Sequence, residues 1–172
     1  MTVRYVLLLS LALFPVPAVA QGQPQSDCRA APRLDEPWTS WPQSGDAIAG
    51  GEAAGAPRLI LGKPVTATLR PADYVRFAAD SGKGGRGGHG GLFTLPVKAP
   101  AKVGIALSAG AWVDVVKGTT PVAPVEHGHG PACSGIRKIV WFPLEAGIYT
   151  VQIANAPEAT IRVMAADAGA NR

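Results

Sequence analysis

The residues of this chain best suited to chemistry fall in one short stretch, 125–138, reading VEHGHGPACSGIRK. It holds two of the three histidines, His127 and His129, and one of the two cysteines, Cys133. On an extended strand, alternate side chains point to the same side. His-x-His therefore offers two imidazoles to a single ion, as sites for Zn, Cu or non-haem Fe do. Further ligands must come from elsewhere. His89, Glu126, Asp114 and a reduced Cys133 are of the right type, and only His89 brings a histidine from a second loop. Fe, Zn and Cu are thus the metals to consider, with His127, His129 and His89 as the ligand set. The competing reading has no cofactor: a loop loosened by Gly128 and Gly130, with Cys133 spent in a disulfide to Cys28.

Other chemistries find less to work with. A cupin-type iron site follows His-x-His with a glutamate and adds a histidine on a later strand. Here His129 is followed by Gly-Pro-Ala-Cys-Ser, and no histidine follows at all. Three histidines are also too few for the paired metals of a copper-zinc superoxide dismutase. There is no G-x-S-x-G elbow, and Ser134 near His129 is adjacency rather than a triad. Glu126 and Glu145 read as exposed turn residues. The glycine loop SGKGGRGGHGG (81–91) places Gly82, Gly84 and Gly87 at the spacing of a dinucleotide-binding turn. That turn must open a helix whose N-terminus holds the pyrophosphate, and the next element here is a strand. A hairpin loop is the simpler reading. Trp38 and Trp41 could form a platform for sugar rings or cap the core, whereas Trp112 and Trp141 sit on strand patterns and read as packing residues.

The elements that must position these residues are almost all extended. From Leu59 onward the apolar residues recur at period two in short runs: RLILG, PVTATLR, Tyr74 to Ala78, Leu92 to Val97, Lys102 to Ser108, WVDVV (112–116), KIVWFPL (138–144), Tyr149 to Ile153, and Ile161 to Val163. About nine strands with turns every 8–12 residues predict an all-β protein, an antiparallel β-sandwich or jelly roll. KIVWFPL is apolar on both faces, as a fully buried strand is. Residues 1–20 read as an export signal: one positive charge in MTVR, the apolar run YVLLLSLALF, Pro15 and Pro17, then Ala18-Val19-Ala20 before cleavage at Gln21. Residues 21–57 read as an irregular arm, 58–166 as the sandwich and 167–172 as a frayed tail. Without Arg4 the chain carries 15 basic against 12 acidic residues. A charge of +3 with no long basic run argues against nucleic acid as partner. No segment after the signal is long and apolar enough to span a membrane. Two cysteines in an exported chain predict the Cys28–Cys133 disulfide.

The segment HGHGPACSGIRKIVWFPLEAGIYTVQIANAP resembles the C-terminal half of short exported bacterial proteins, some of which carry the label homogentisate 1,2-dioxygenase. The similarity extends back through AWVDVV to LILGKPVTATLRP, about two thirds of the chain. That label implies a non-haem Fe(II) enzyme that opens an aromatic ring, and no catalytic residue carries over from it. The strand-turn-strand patterning also resembles prepeptidase C-terminal and related carbohydrate-binding-like sandwiches. The expectation is an exported, periplasmic or secreted β-sandwich that binds an envelope or extracellular ligand or protein without catalysis. The alternative is a metal-dependent dioxygenase.

Overall fold

The computed structural model describes residues 28, 30–82 and 87–169. The expected export signal, the start of the arm, the centre of the glycine loop and the last three residues lie outside the described residues.

The chain is all-β. Its strands are β1 (Gly45–Ile48), β2 (Val65–Thr68), β3 (Arg70–Pro71), β4 (His89–Val97), β5 (Ala101–Leu107), β6 (Trp112–Lys117), β7 (Thr120–Pro121), β8 (Glu126–Gly128), β9 (Lys138–Leu144), β10 (Gly147–Ala156) and β11 (Thr160–Asp167). They form two sheets, ordered β1-β2-β11-β5-β9-β8 and β3-β4-β10-β6-β7. Every pairing is antiparallel except β1 with β2. The two-residue period decides what faces inward. Val103, Ile105 and Leu107 of β5 and Val140, Phe142 and Leu144 of β9 meet Phe93, Leu95 and Val97 of β4, and Tyr149, Val151 and Ile153 of β10, in one buried core. Pro143 is tolerated in β9 because β8 pairs with β9 only at Ile139 to Trp141, leaving an unpaired edge beyond.

Both outer faces of the sandwich are covered by segments that are not strands. Over the six-stranded sheet lies the arm. Leu34, Trp38 and Trp41 pack on Ala106, Ile139, Met164 and Ala166, the outward residues of β5, β9 and β11, in a second apolar cluster. Two turns set this up, Trp38 N–H donating to Asp35 O and Trp41 N–H to Trp38 O, each at 2.9 Å. The rings of Trp38 and Trp141 lie 5.7 Å apart at 59°, and the Arg162 guanidinium sits 5.5 Å above the Trp41 ring. Gly104 is what lets Trp141 lie down on the sheet: a Cβ there would stand 2.7 Å from the indole ring. The Cys28–Cys133 disulfide fastens the outer end of the arm, with Cα atoms 5.4 Å apart. Trp38 and Trp41 are therefore capping residues and not an exposed platform. The apolar outer residues of KIVWFPL are explained by the arm that covers them.

Over the five-stranded sheet lies the segment around Ala78 and Ala79, held by Gln152, which is fully buried. Its Oε1 accepts from the N–H groups of Ala78 (3.0 Å) and Ala79 (3.1 Å), and its Nε2 donates to Ala79 O (3.1 Å) and Asp114 Oδ2 (3.0 Å). Asp114 Oδ1 accepts from the Trp112 indole N–H at 2.9 Å. A buried amide with both ends satisfied fixes one conformation of the segment it grips.

Three expected elements differ. RLILG is no strand: Arg58 makes a single bridge to Thr94, and Leu59 N–H donates to Thr94 O before the chain turns. Tyr74 to Ala78 is not a strand either, because its backbone donors are taken otherwise. Arg76 N–H donates to Gly51 O and those of Ala78 and Ala79 to a side chain. Conversely, Gly45–Ile48, expected within an irregular arm, joins the sheet as β1 beside β2, with Ser44 Oγ 2.8 Å from Thr66 Oγ1. No helix among the described residues is long and apolar enough to cross a membrane.

Candidate functional site

The residues singled out for metal chemistry are not brought together. His127 lies in β8 at the edge of the six-stranded sheet, and His129 follows that strand's end. His89 opens β4 in the other sheet, paired with Pro71 and Ala156. Cys133 is oxidised. Among the described residues, no three His, Cys, Asp or Glu side chains converge so as to hold a metal ion. The loop after β8 is also more firmly tied than its glycines imply. Gly130 N–H donates to Ile136 O, Ser134 N–H to Pro131 O, and Ile136 N–H to Ser134 Oγ, while the Ile136 side chain is buried in the arm cluster. His129 Nδ1 lies 2.7 Å from Arg137 O. Glu126 forms an ion pair with Lys102 at 2.6 Å. Asp114 belongs to the Gln152 network, and also to the surroundings of Lys138. Burial lowers the Lys138 ammonium's pKa from its ordinary value, and the negative charge of Asp114 opposes that shift. The Lys138 head donates to Ala111 O at 3.1 Å and stands 5.2 Å over the Trp112 ring.

A larger concavity lies elsewhere among the described residues, where the loop after β1 meets the turn after β3. It is an open cleft of about 680 Å³. Pro71 leads into a single 3-10 turn, Ala72–Tyr74. The three-residue period of that turn buries Ala72 and Val75 and turns Asp73 and Tyr74 outward. Tyr74 is 76% exposed, unusual for so large an aromatic. The facing wall is Gly50 to Gly55. Gly50 is clamped to β4 by a reciprocal pair of 2.9 Å bonds with Leu92. Gly51 lets the walls approach, since a Cβ there would stand 3.1 Å from Tyr74 O. Arg76 N–H donates to Gly51 O at 2.7 Å, and its guanidinium pairs with Glu52 at 2.6 Å. Arg70 Nε donates to Ala49 O at 3.3 Å, which orients the guanidinium; its terminal nitrogens have no acceptor among the described residues, and Asp73 has no donor there. The cleft thus offers an aromatic face, one free cationic donor fork and one free carboxylate on a backbone fixed at both ends. The sequence reading missed it, because Tyr74 sits in a run whose alternation mimics a strand. The only signal was Pro71-Ala72-Asp73, a turn opening.

Compared with known proteins, the chain matches no family model, no curated protein and no solved structure. What it does must be argued from these groups themselves.

Proposed function

We propose that this chain is an exported, periplasmic or secreted, non-catalytic binding protein whose cleft at Tyr74 takes a hydroxyl-rich ligand, a glycan of the cell envelope or of the surroundings. The observation that carries this reading is the exposed Tyr74 ring lining one cleft with Arg70, whose terminal nitrogens are uncommitted, and Asp73. A sugar presents an apolar C–H face and a rim of hydroxyls. The ring complements the first, while a donor fork and a carboxylate acceptor complement the second. The volume suits a short oligosaccharide segment, within the roughly 300–1,000 Å³ common for small-ligand sites. The disulfide and the prefixed walls favour a rigid receptor, which limits the ordering cost of binding. The test is retention of the purified protein on a panel of immobilised glycans, peptidoglycan sacculi and β-glucans among them. The expected result is retention on at least one, weakened about tenfold or more by Tyr74→Ala at unchanged thermal midpoint. Failure of the wild type to bind any glycan, or equal binding by Tyr74→Ala, would overturn it.

A further inference from the structure

Among the described residues the two sheets end in β1 and β8 and in β3 and β7. The outer side of a terminal strand offers bare N–H and C=O groups to any further strand, and proteins blunt it with brevity, proline or charge. β3 and β7 have two residues each and end in Pro71 and Pro121, and β8 has three residues. β1 has four and no proline. Its inner side is taken by β2, where the N–H groups of Gly45 and Ala49 donate to Pro64 O and Thr68 O. In a parallel ladder alternate residues turn their backbone groups to the same neighbour, so those of Asp46 and Ile48 point away from β2. No other described residue bonds to them. The side chains do little to guard this edge. Gly45 and Ala47 are small, and Ile48 is 69% exposed. Beside the strand, Gly45 and the exposed Ile60 line an open depression of about 490 Å³.

The one charge on the strand, Asp46, selects a register instead of blocking the edge. Setting Asp46 opposite Asp46 of a second β1 would oppose two carboxylates directly. Setting Ile48 opposite Ile48 would place Asp46 against Gly50, whose N–H and C=O are both committed to Leu92. Setting Asp46 opposite Ile48 avoids both faults, and each such pair exchanges both of its N–H···O bonds. We propose that β1 pairs with β1 of a second copy of this chain, antiparallel about a two-fold axis at Ala47, so that two six-stranded sheets run on as one. Such an interface is isologous, with the same groups given and taken on both sides. Ala47 meets its own copy across the axis as a non-bonded pair, where backbones approach to about 4.5 Å and a small side chain fits. The two Ile48 side chains lie diagonally on one face, within reach of each other. β1 leads straight into Gly50 and Gly51, which line the Tyr74 cleft, so the pairing sets two clefts about one axis and a polymeric ligand could engage both. That consequence rests on the glycan reading; the pairing itself does not.

The test is sedimentation velocity of the purified disulfide-bonded protein from about 10 μM to about 1 mM, with amide exchange followed by NMR over the same range. The expected result is a monomer–dimer equilibrium in which the Asp46 and Ile48 amides gain protection as concentration rises, while Ala49, already bonded to β2, is protected throughout. Ile48→Pro removes an outward N–H and no bond to β2, and weakens association about tenfold or more. Ile48→Asp keeps the backbone donor but sets a carboxylate against the partner's Asp46, and weakens association in the same direction. Both are read at an unchanged thermal midpoint, and the second keeps the test open if the proline variant does not fold. On oxidation Ala47→Cys cross-links across the axis and Asp46→Cys does not, because only the former faces its own copy at disulfide distance. A monomer at every concentration overturns the pairing and leaves the edge to a strand of some other chain. A dimer that both Ile48 variants leave unchanged overturns it as well, as does one whose Asp46 and Ile48 amides exchange as fast as in the monomer. Tyr74→Ala dimerises like the wild type, so failure of the pairing and failure of the glycan cleft are distinguishable.

Discussion

Replacing both cysteines with serine in the folded chain tests how the arm is held. The Cys28–Cys133 bridge spans 105 residues of sequence, from the arm through β8, with β9 to β11 beyond it. A cross-link of that span removes loop-closure freedom from the unfolded chain, worth about 4.7 kcal/mol in the chain-entropy treatment. That figure is an upper value, since unfolded chains are more compact than the treatment assumes. The expected loss in Cys28→Ser/Cys133→Ser is therefore about 3–5 kcal/mol, a large part of the about 5–15 kcal/mol typical of a domain. The assay is urea unfolding followed by tryptophan fluorescence. Trp38, Trp41 and Trp141, which packs against Trp38, report the arm and the face it covers, while Trp112 reports the five-stranded sheet. Packing gives a second expectation. The Trp41 side chain, 1% exposed, is anchored in the cluster on Ala106, Ile139 and Met164, so the arm stays docked in the reduced protein under native conditions and the emission spectrum does not shift to the red. A loss below about 1 kcal/mol would refute the argument, because it would mean that the cross-link restrains nothing the unfolded chain explores. A red-shifted native spectrum would refute the second part, showing that the staple and not the packing holds the arm.

Trp41→Ala empties a site in the arm cluster and costs about 3–5 kcal/mol in the same unfolding assay. Gln152→Ala deprives the N–H groups of Ala78 and Ala79 of their acceptor, at about 1–3 kcal/mol, and accelerates amide exchange at those two residues before anywhere else in the five-stranded sheet. Gly104→Val drives a side chain into the Trp141 ring, with a loss of about 1–3 kcal/mol and a changed near-ultraviolet circular dichroism spectrum. Lys138 gives a pH dependence of fixed sign. Its folded pKa is lowered, mainly by burial, so between that value and the ordinary lysine value the unfolded chain binds more protons and stability rises with pH. Lys138→Met flattens that rise in urea midpoints measured on the alkaline side, and an unchanged slope would count against the burial argument.

The period-two pattern made the sandwich legible because burial on one face of a strand writes itself into alternate residues. Val103, Ile105 and Leu107 are an instance, and the structure puts all three in the core. The pattern failed where hydrogen-bond partners, not side-chain burial, decide the backbone. Tyr74 to Ala78 alternates as well as any strand, yet its donors go to Gly51 and to a glutamine side chain 73 and 74 residues away from Ala79 and Ala78. No local rule sees Gln152. β1 was invisible for the opposite reason: Gly-Asp-Ala-Ile has little strand propensity, and it is recruited by the free edge of β2. The disulfide was readable from the cysteine count together with the expectation of an export signal. The cleft was not, because an exposed tyrosine matters only once it is known to be exposed.

The two covered sheet faces divide the molecule's residues by what their loss would do. Trp41, Gln152 and Gly104 are buried or close-packed, and each holds a covering segment or lies beneath one, so replacing them lowers stability first and binding only as a consequence. Tyr74 and Arg70 are exposed. In the proposed cleft the Tyr74 ring stands in water together with an Arg70 guanidinium whose terminal nitrogens have no acceptor among the described residues. Exposed substitutions of this kind typically change stability by about 0.5 kcal/mol or less. Any large loss of binding on replacing them is then a direct reading of ligand contact. Binding that falls only together with the unfolding midpoint would place the function in the covered faces instead.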